Sequence, residues 1–481
     1  MNYSTNKNIL LSFLLSLLSL ILQIFGLYQA GLWLLLLSYM VIFYVAIKNI
    51  GVNSLYFFFL LFYGLYIFSI PISIEFGLDI GQYREKYLAT WQTVDYSLRH
   101  YVFSSSLVLI GIITSFFIII NYYKFYNRKI LSNHVIDSSN LFTLSIVSGL
   151  ISSLFELINF LRVGGVSALI KGKAFYQSAI SDLSFTLPSD GFFYISIAIF
   201  AFLLGSKNIH SKKYIYTVFI LLVNSFYLFV SLYIGERGNL LVAIFIAFLG
   251  ITYFKKITKI KFSYIFTLLL FFIFFVFLTI NRNFVEQGKN YKISNTFDYI
   301  KSNPNKLIFT LNPANIEYGS PALVYRVYIE NNNNFKYKLG VTYLYFIPNI
   351  LPIYINPCRA PNLVNDVRDK YFPDRAKKGS NASVGYSAML EALINFGFIG
   401  VFLWGTAVSF LLLLVEYIKF YRFNKYVLLI YLILFNIVII LFRSSSEFIF
   451  QQIILYIIYV AVIIFISAIL RYLTKVIIKN H

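Results

Sequence analysis

Three polar residues, Ser387, Glu391 and Asn395, recur at every fourth position of the tract Gly379–Gly400, so on a helix they line one face. A carboxylate on such a face, its basicity raised by partial burial, can take the proton from an attacking hydroxyl. It can equally be structural, hydrogen-bonded to Asn395. Ser383 suits the N-cap of that helix. Two short charged turns, Gly235-Glu236-Arg237-Gly238-Asn239 and Arg443-Ser444-Ser445-Ser446-Glu447, join closely spaced apolar segments. Charge at such a depth is costly, which makes each turn a site hypothesis, the alternative being an Arg and a Glu that snorkel and pair at the interface. Glu156, inside another apolar segment, carries the same two readings.

Fixed cations collect in one stretch. From Arg282 to Glu391 there are fourteen Lys or Arg against eight Asp or Glu. Arginine forks match phosphate and pyrophosphate oxygens, and Arg282, Arg326, Arg359, Arg368 and Arg375 are the candidates. A basic surface facing anionic lipid headgroups is the alternative. The four histidines are too scattered for a metal-ligand spacing and the single Cys358 allows no internal disulfide, so neither metal nor cofactor is expected.

The elements that position these groups follow from composition. With 59% hydrophobic residues, 12% charged ones and a mean hydropathy of +0.75, the chain is expected to have lipid as its solvent. An all-α polytopic membrane fold follows, because helices satisfy their own amides. Apolar windows give about twelve spans. They fall near Ile9–Leu27, Leu32–Ile47, Leu55–Ile74, Val102–Ile120, Leu141–Leu161, Gly191–Leu204, Tyr214–Ile234, Asn239–Phe254, Phe262–Ile280, Ala392–Val415, Tyr426–Phe442 and Phe448–Leu470. The first run reads as a retained anchor. Net charge of +21 reports topology rather than nucleic acid, since Lys and Arg gather in alternate connections, from Lys48 through Lys255, Lys256, Lys259 and Lys261 to Arg471, Lys475 and Lys479. Both termini are then cytoplasmic, and Glu75–His100, Arg162–Asp190 and Asn281–Glu391 lie outside. The chain divides into an N-terminal bundle (1–280), a large outer loop or cap (281–391) and C-terminal helices (392–481) that complete one membrane domain. Aromatic residues and stretches such as Val341–Ile355 argue for a folded, partly membrane-facing cap.

The tract Val384–Gly400, where Glu391 leads into Asn395-Phe396-Gly397 and then Gly400, resembles the E-x-x-x-N-F-G-x-x-G signature of bacterial O-antigen polymerases, the Wzy-type oligosaccharide repeat-unit polymerases. The Arg237-Gly238 step resembles that family's R-G turn. Of its R-x10-G loop motifs, Arg368 to Gly379 fits the spacing and Arg162 to Gly172 falls one residue short. The resemblance implies a GT-C-like membrane glycosyltransferase of the bacterial inner membrane, with the cap in the periplasm. Its donor and acceptor would be undecaprenyl-pyrophosphate-linked oligosaccharides, with a chain-length regulator protein as a further partner. No nucleotide sugar or metal would be required. In that setting Glu391, with Glu236 second, is the expected base, Arg237 and Arg443 stabilise charge, and Arg282, Arg326, Arg368 and Arg375 hold pyrophosphate. An O-antigen ligase shares this architecture, but its expected outer-loop histidine is absent. A flippase or transporter would show repeat symmetry and midplane polar residues, and a non-catalytic scaffold is the remaining alternative.

Overall fold

Apolar segments in lipid must close their backbone hydrogen bonds internally, and the computed structural model is helical, with no strand among the described residues. The structure describes residues 3–78, 96–123, 138–170, 176, 179–180, 183, 186–206, 213–234, 237–253, 257–258, 312, 319–331, 337–349, 363–372, 385–421 and 425–479. Among them, seven helices are long and apolar enough to cross a membrane, or eight if a pair bent by 59° after Val223 is one span. Ser189–Gly205 and Gly238–Ile251 are shorter apolar helices. The chain is a multi-pass membrane protein. The expected ninth span, Phe262–Ile280, lies outside the described residues.

Helices associate here through small and hydroxyl side chains, as expected where lipid removes the hydrophobic incentive. Helix α1 (Tyr3–Ile24) packs on α2 (Tyr28–Asn49) through Ser12, Ser16 and Ser19. Ser12 donates to the Ser38 carbonyl (2.8 Å) and Ser19 to that of Gly31 (2.6 Å). Helix α3 (Leu55–Glu75) is capped by Ser54, which accepts from the Phe57 amide (3.0 Å). Next come α4 (Tyr96–Tyr123), α5 (Ser138–Arg162), α6 (Ser189–Gly205), the bent pair α7 (Lys213–Val223) and α8 (Ser225–Ile234), and α9 (Arg237–Ile251). Along one face of α5, Ser145, Ser148, Ser152, Glu156 and Asn159 meet α6 and the residues just before it. Gly205 and Gly250 let α6 and α9 touch, since a Cβ at Gly205 would come within 2.4 Å of the Ile251 carbonyl.

The chain then enters the cap, of which α10 (Ser320–Asn331), a 3-10 turn (Val341–Leu344), a short turn (Phe346–Asn349) and α11 (Leu363–Tyr371) are described. It returns through α12 (Ala388–Tyr421), α13 (Lys425–Ile440) and α14 (Ser446–Lys479). Helix α12 runs along α4, where Gly111 and Gly405 bring the backbones together. Cap elements gather where α12 and α14 begin. At the far end of α12, Glu416 and Lys419 are fully buried as a pair (3.8 Å). Tyr431 donates to Glu416 (2.8 Å), the Leu55 amide at the start of α3 also bonds Glu416, and Lys419 reaches the Asn53 carbonyl (3.3 Å). That end is therefore tied by a charged network.

Candidate active site

Glu391 sits in the first turn of α12 and is completely buried. Its carboxylate accepts from the Ser446 amide (2.7 Å), the Ser446 hydroxyl (2.6 Å) and the Thr342 hydroxyl (2.9 Å). Ser446 opens α14, so a charge carried by α12 faces the positive end of another helix. Lys338 of the cap lies within electrostatic range. Ser387 is buried one turn earlier and its carbonyl accepts from the Glu391 amide (3.0 Å).

Asn395, also completely buried, does not bond the Glu391 carboxylate as one sequence reading proposed. It donates to Thr342 (2.6 Å) and to the Glu391 main-chain carbonyl (2.9 Å), and accepts from the Gly340 amide (2.9 Å). Thr342 therefore bridges the two. Immediately after, α12 breaks: Phe396 (φ −135°, ψ 16°) and Gly397 (φ 63°, ψ −152°) leave helical geometry. The break frees the carbonyls of Ile394 and Asn395, which accept from the Lys338 and Leu339 amides (3.1 Å each). Gly397 takes the left-handed conformation that a side chain resists, and a Cβ there would also meet Tyr337 at 3.1 Å. The Asn-Phe-Gly sequence thus forms a socket for the cap.

The turn after α13 closes on the same place. The Arg443 carbonyl accepts from the Tyr386 amide (3.0 Å), and Glu447 is held by the Asn349 side chain. Arg443 itself is half-buried at this junction. Glu391, the Arg443 turn and the cap segment 337–349 are therefore one assembly. Behind it, Tyr66, Tyr101, Pro321, Ser387, Trp404 and Phe442 line a small cavity. Two cap tyrosines beside Glu391, Tyr343 and Tyr386, have hydroxyl pKa values raised first by burial and then by that carboxylate.

Arg326 and Arg368 lie inside the cap. Arg326 is 2% exposed and its Nε donates to Glu330 (2.6 Å), while α10 is fastened to α4 by Tyr325, whose hydroxyl meets His100 (2.7 Å) and Ser104 (2.6 Å). Arg368 is 8% exposed, with its Nε on Asp369 (2.7 Å). In this conformation both guanidiniums are covered, so contact with a phosphate needs the cap to part. Arg237 begins α9, and its side chain is outside what the structure describes. Glu236, Arg282, Arg359, Arg375 and Ser383 also lie outside the described residues.

One constellation joins an acid that the sequence reading did not single out, Asp190, to Glu156, which it did. Asp190, exposed at the start of α6, accepts from Tyr227 (2.7 Å) and from Asn239 (3.3 Å), two residues beyond Arg237. Behind it Glu156 is buried and held by Ser189 (2.7 Å) and Tyr176 (3.3 Å). An acid placed directly before an apolar run was the available signal. Among the described residues no group of three His, Cys, Asp or Glu side chains could hold a metal ion.

No curated protein and no solved structure matches the chain. The family described as O-antigen polysaccharide polymerase Wzy matches residues 7–475, so the bundle, the cap and the Glu391 tract all fall within the match. The chain belongs to the O-antigen polysaccharide polymerase Wzy family.

Proposed function

We propose that the protein transfers a growing glycan from undecaprenyl pyrophosphate onto a new lipid-linked repeat unit at the periplasmic face of the bacterial inner membrane. The observation that carries this reading is the convergence of Glu391, the Arg443 turn and the cationic cap on one end of the bundle, in a chain of the polymerase family. An acceptor sugar hydroxyl attacks the anomeric carbon of the donor chain. The bond from that carbon to the pyrophosphate oxygen breaks, and the lipid pyrophosphate leaves with the electron pair. The hydroxyl proton passes to a carboxylate. Glu391, covered like Arg326 and Arg368 until the cap parts, is the first choice as that base, since Oε2 keeps acceptor capacity beyond the Ser446 amide, and Glu236 is the second. In this reading Arg443 and Arg237 supply positive charge to the leaving group, where fixed donors act without a metal. Arg282 and Arg375 hold pyrophosphate, joined by Arg326 and Arg368 when the cap parts. Both termini lie in the cytoplasm, and a chain-length regulator is a further partner in this reading.

Deleting the gene and resolving surface polysaccharide on a gel tests the proposal. A polymerase defect leaves single repeat units on the lipid core, restored to a ladder by the wild-type gene. Complete loss of attached units points to a ligase, and an unchanged ladder refutes both.

A further inference from the structure

One polar group in the cap has no packing explanation. Tyr386, two residues before α12, is completely buried, and among the described residues its hydroxyl has no hydrogen-bond partner. Its position is fixed by its own amide on the Arg443 carbonyl (3.0 Å) and by the Gly385 amide on the Ser320 hydroxyl (2.8 Å). Within electrostatic range stand Tyr328 of α10, Tyr343 of the 3-10 turn, Asp366 of α11, and Glu391. Tyr328 and Tyr371 pack against the buried cluster that contains Tyr386, Tyr328 and Tyr343 are partly exposed, and Asp366 is exposed. Tyr371 meets Tyr328 edge-on at 6.0 Å.

A buried hydroxyl without a partner is costly, and a phenylalanine would fill the same space without that cost. The unpaired oxygen therefore points to a partner that arrives from outside. Tyrosine rings can cover the apolar face of a sugar ring, while the Asp366 carboxylate and the phenol can pair with its hydroxyls. Among the described residues, the charged groups within electrostatic range of the phenol are the carboxylates of Asp366 and Glu391, which favour a neutral group there and leave the pyrophosphate to the arginines.

We propose that Tyr386, Tyr328, Tyr343 and Asp366 form a sugar subsite in the cap directly over Glu391, with the Tyr386 hydroxyl bonding a neutral sugar of the lipid-linked oligosaccharide. This rests on the polymerase reading above. It makes Tyr386 a substrate-contacting residue whose removal has opposite effects on stability and on function.

The test is Tyr386→Phe expressed in the deletion strain beside the wild-type gene, with two readouts. Thermal unfolding of the detergent-purified variant should be unchanged or shifted upward, as loss of an orphan hydroxyl requires. The polysaccharide ladder should shorten, with polymerisation reduced roughly fivefold, the value of one neutral hydrogen bond. A wild-type ladder from Tyr386→Phe overturns the subsite alone, and a lower melting temperature overturns it by revealing a structural role. If the wild-type gene itself restores no ladder, the polymerase reading falls and the subsite with it. Should the Phe variant not accumulate, the decision passes to Asp366→Asn at an exposed position, where shortened chains support the subsite and wild-type chain lengths overturn it.

Discussion

Replacing Glu391 by Gln separates what the carboxylate holds from what it could catalyse. Three donors converge on it, the Ser446 amide and hydroxyl and the Thr342 hydroxyl. Bonds to an ionised group contribute about 1.5–3 kcal/mol each, and a negative charge at a helix start adds about 0.3–1 kcal/mol. An Ala variant strands all three donors, so a loss of roughly 3–6 kcal/mol is expected, a large part of the ~5–15 kcal/mol that holds a typical fold. Gln retains one acceptor oxygen for the amide, and the two hydroxyls can rotate to accept from its NH2 group, which limits the loss to about 1–3 kcal/mol. Thermal unfolding of the purified variants should therefore place Gln between Ala and wild type. Polymer formation by the Gln variant at matched protein level should fall by about 100-fold or more, the lower range for loss of a general base. A near-wild-type ladder from Glu391→Gln refutes the catalytic reading, and equal instability of Gln and Ala would confine Glu391 to joining α12, α14 and the cap.

Two further outcomes probe the frame around that site. Gly397→Ala forces a side chain into backbone geometry that essentially only glycine adopts, at a cost of about 1–3 kcal/mol, and pushes on Tyr337. Its signature should be faster hydrogen exchange in residues 337–349, and unchanged protection there would count against the socket. Lys419→Met leaves Glu416 as an uncompensated buried charge and should destabilise by about 3–5 kcal/mol, whereas the double change with Glu416→Gln should recover much of that. Equal melting temperatures for the single and double variants would show that the pair is not coupled.

The membrane helices were legible because apolar runs and bilayer thickness leave little choice of structure, and the helical placement of Glu391 was legible because Ser387, Glu391 and Asn395 keep helical spacing. What that spacing could not show is Thr342. Nothing near it in sequence marks a residue that joins Glu391 to Asn395 across the cap, since its role arises only when Lys338 and Leu339 occupy the carbonyls opened at Phe396. The bend after Val223 was hidden for a similar reason, an unbroken apolar pattern crossing Asn224. Arg326 reads in sequence as one more cation in a basic loop. Its pairing with Glu330 follows the i,i+4 spacing of α10, but that it is covered emerges only from packing. Asp190, Tyr227 and Asn239 are far apart in the chain, and helix packing alone makes them neighbours.

The break in α12 bears on how such proteins could exchange specificities. A cap moved alone from a relative with a different repeat unit would arrive without the residues that receive it, because Lys338, Leu339, Gly340 and Thr342 all bond to Glu391, Ile394 or Asn395. The unit of inheritance is therefore longer than the loop. A working chimera has to take its downstream junction beyond Gly400, inside the straight part of α12, so that socket and cap travel together.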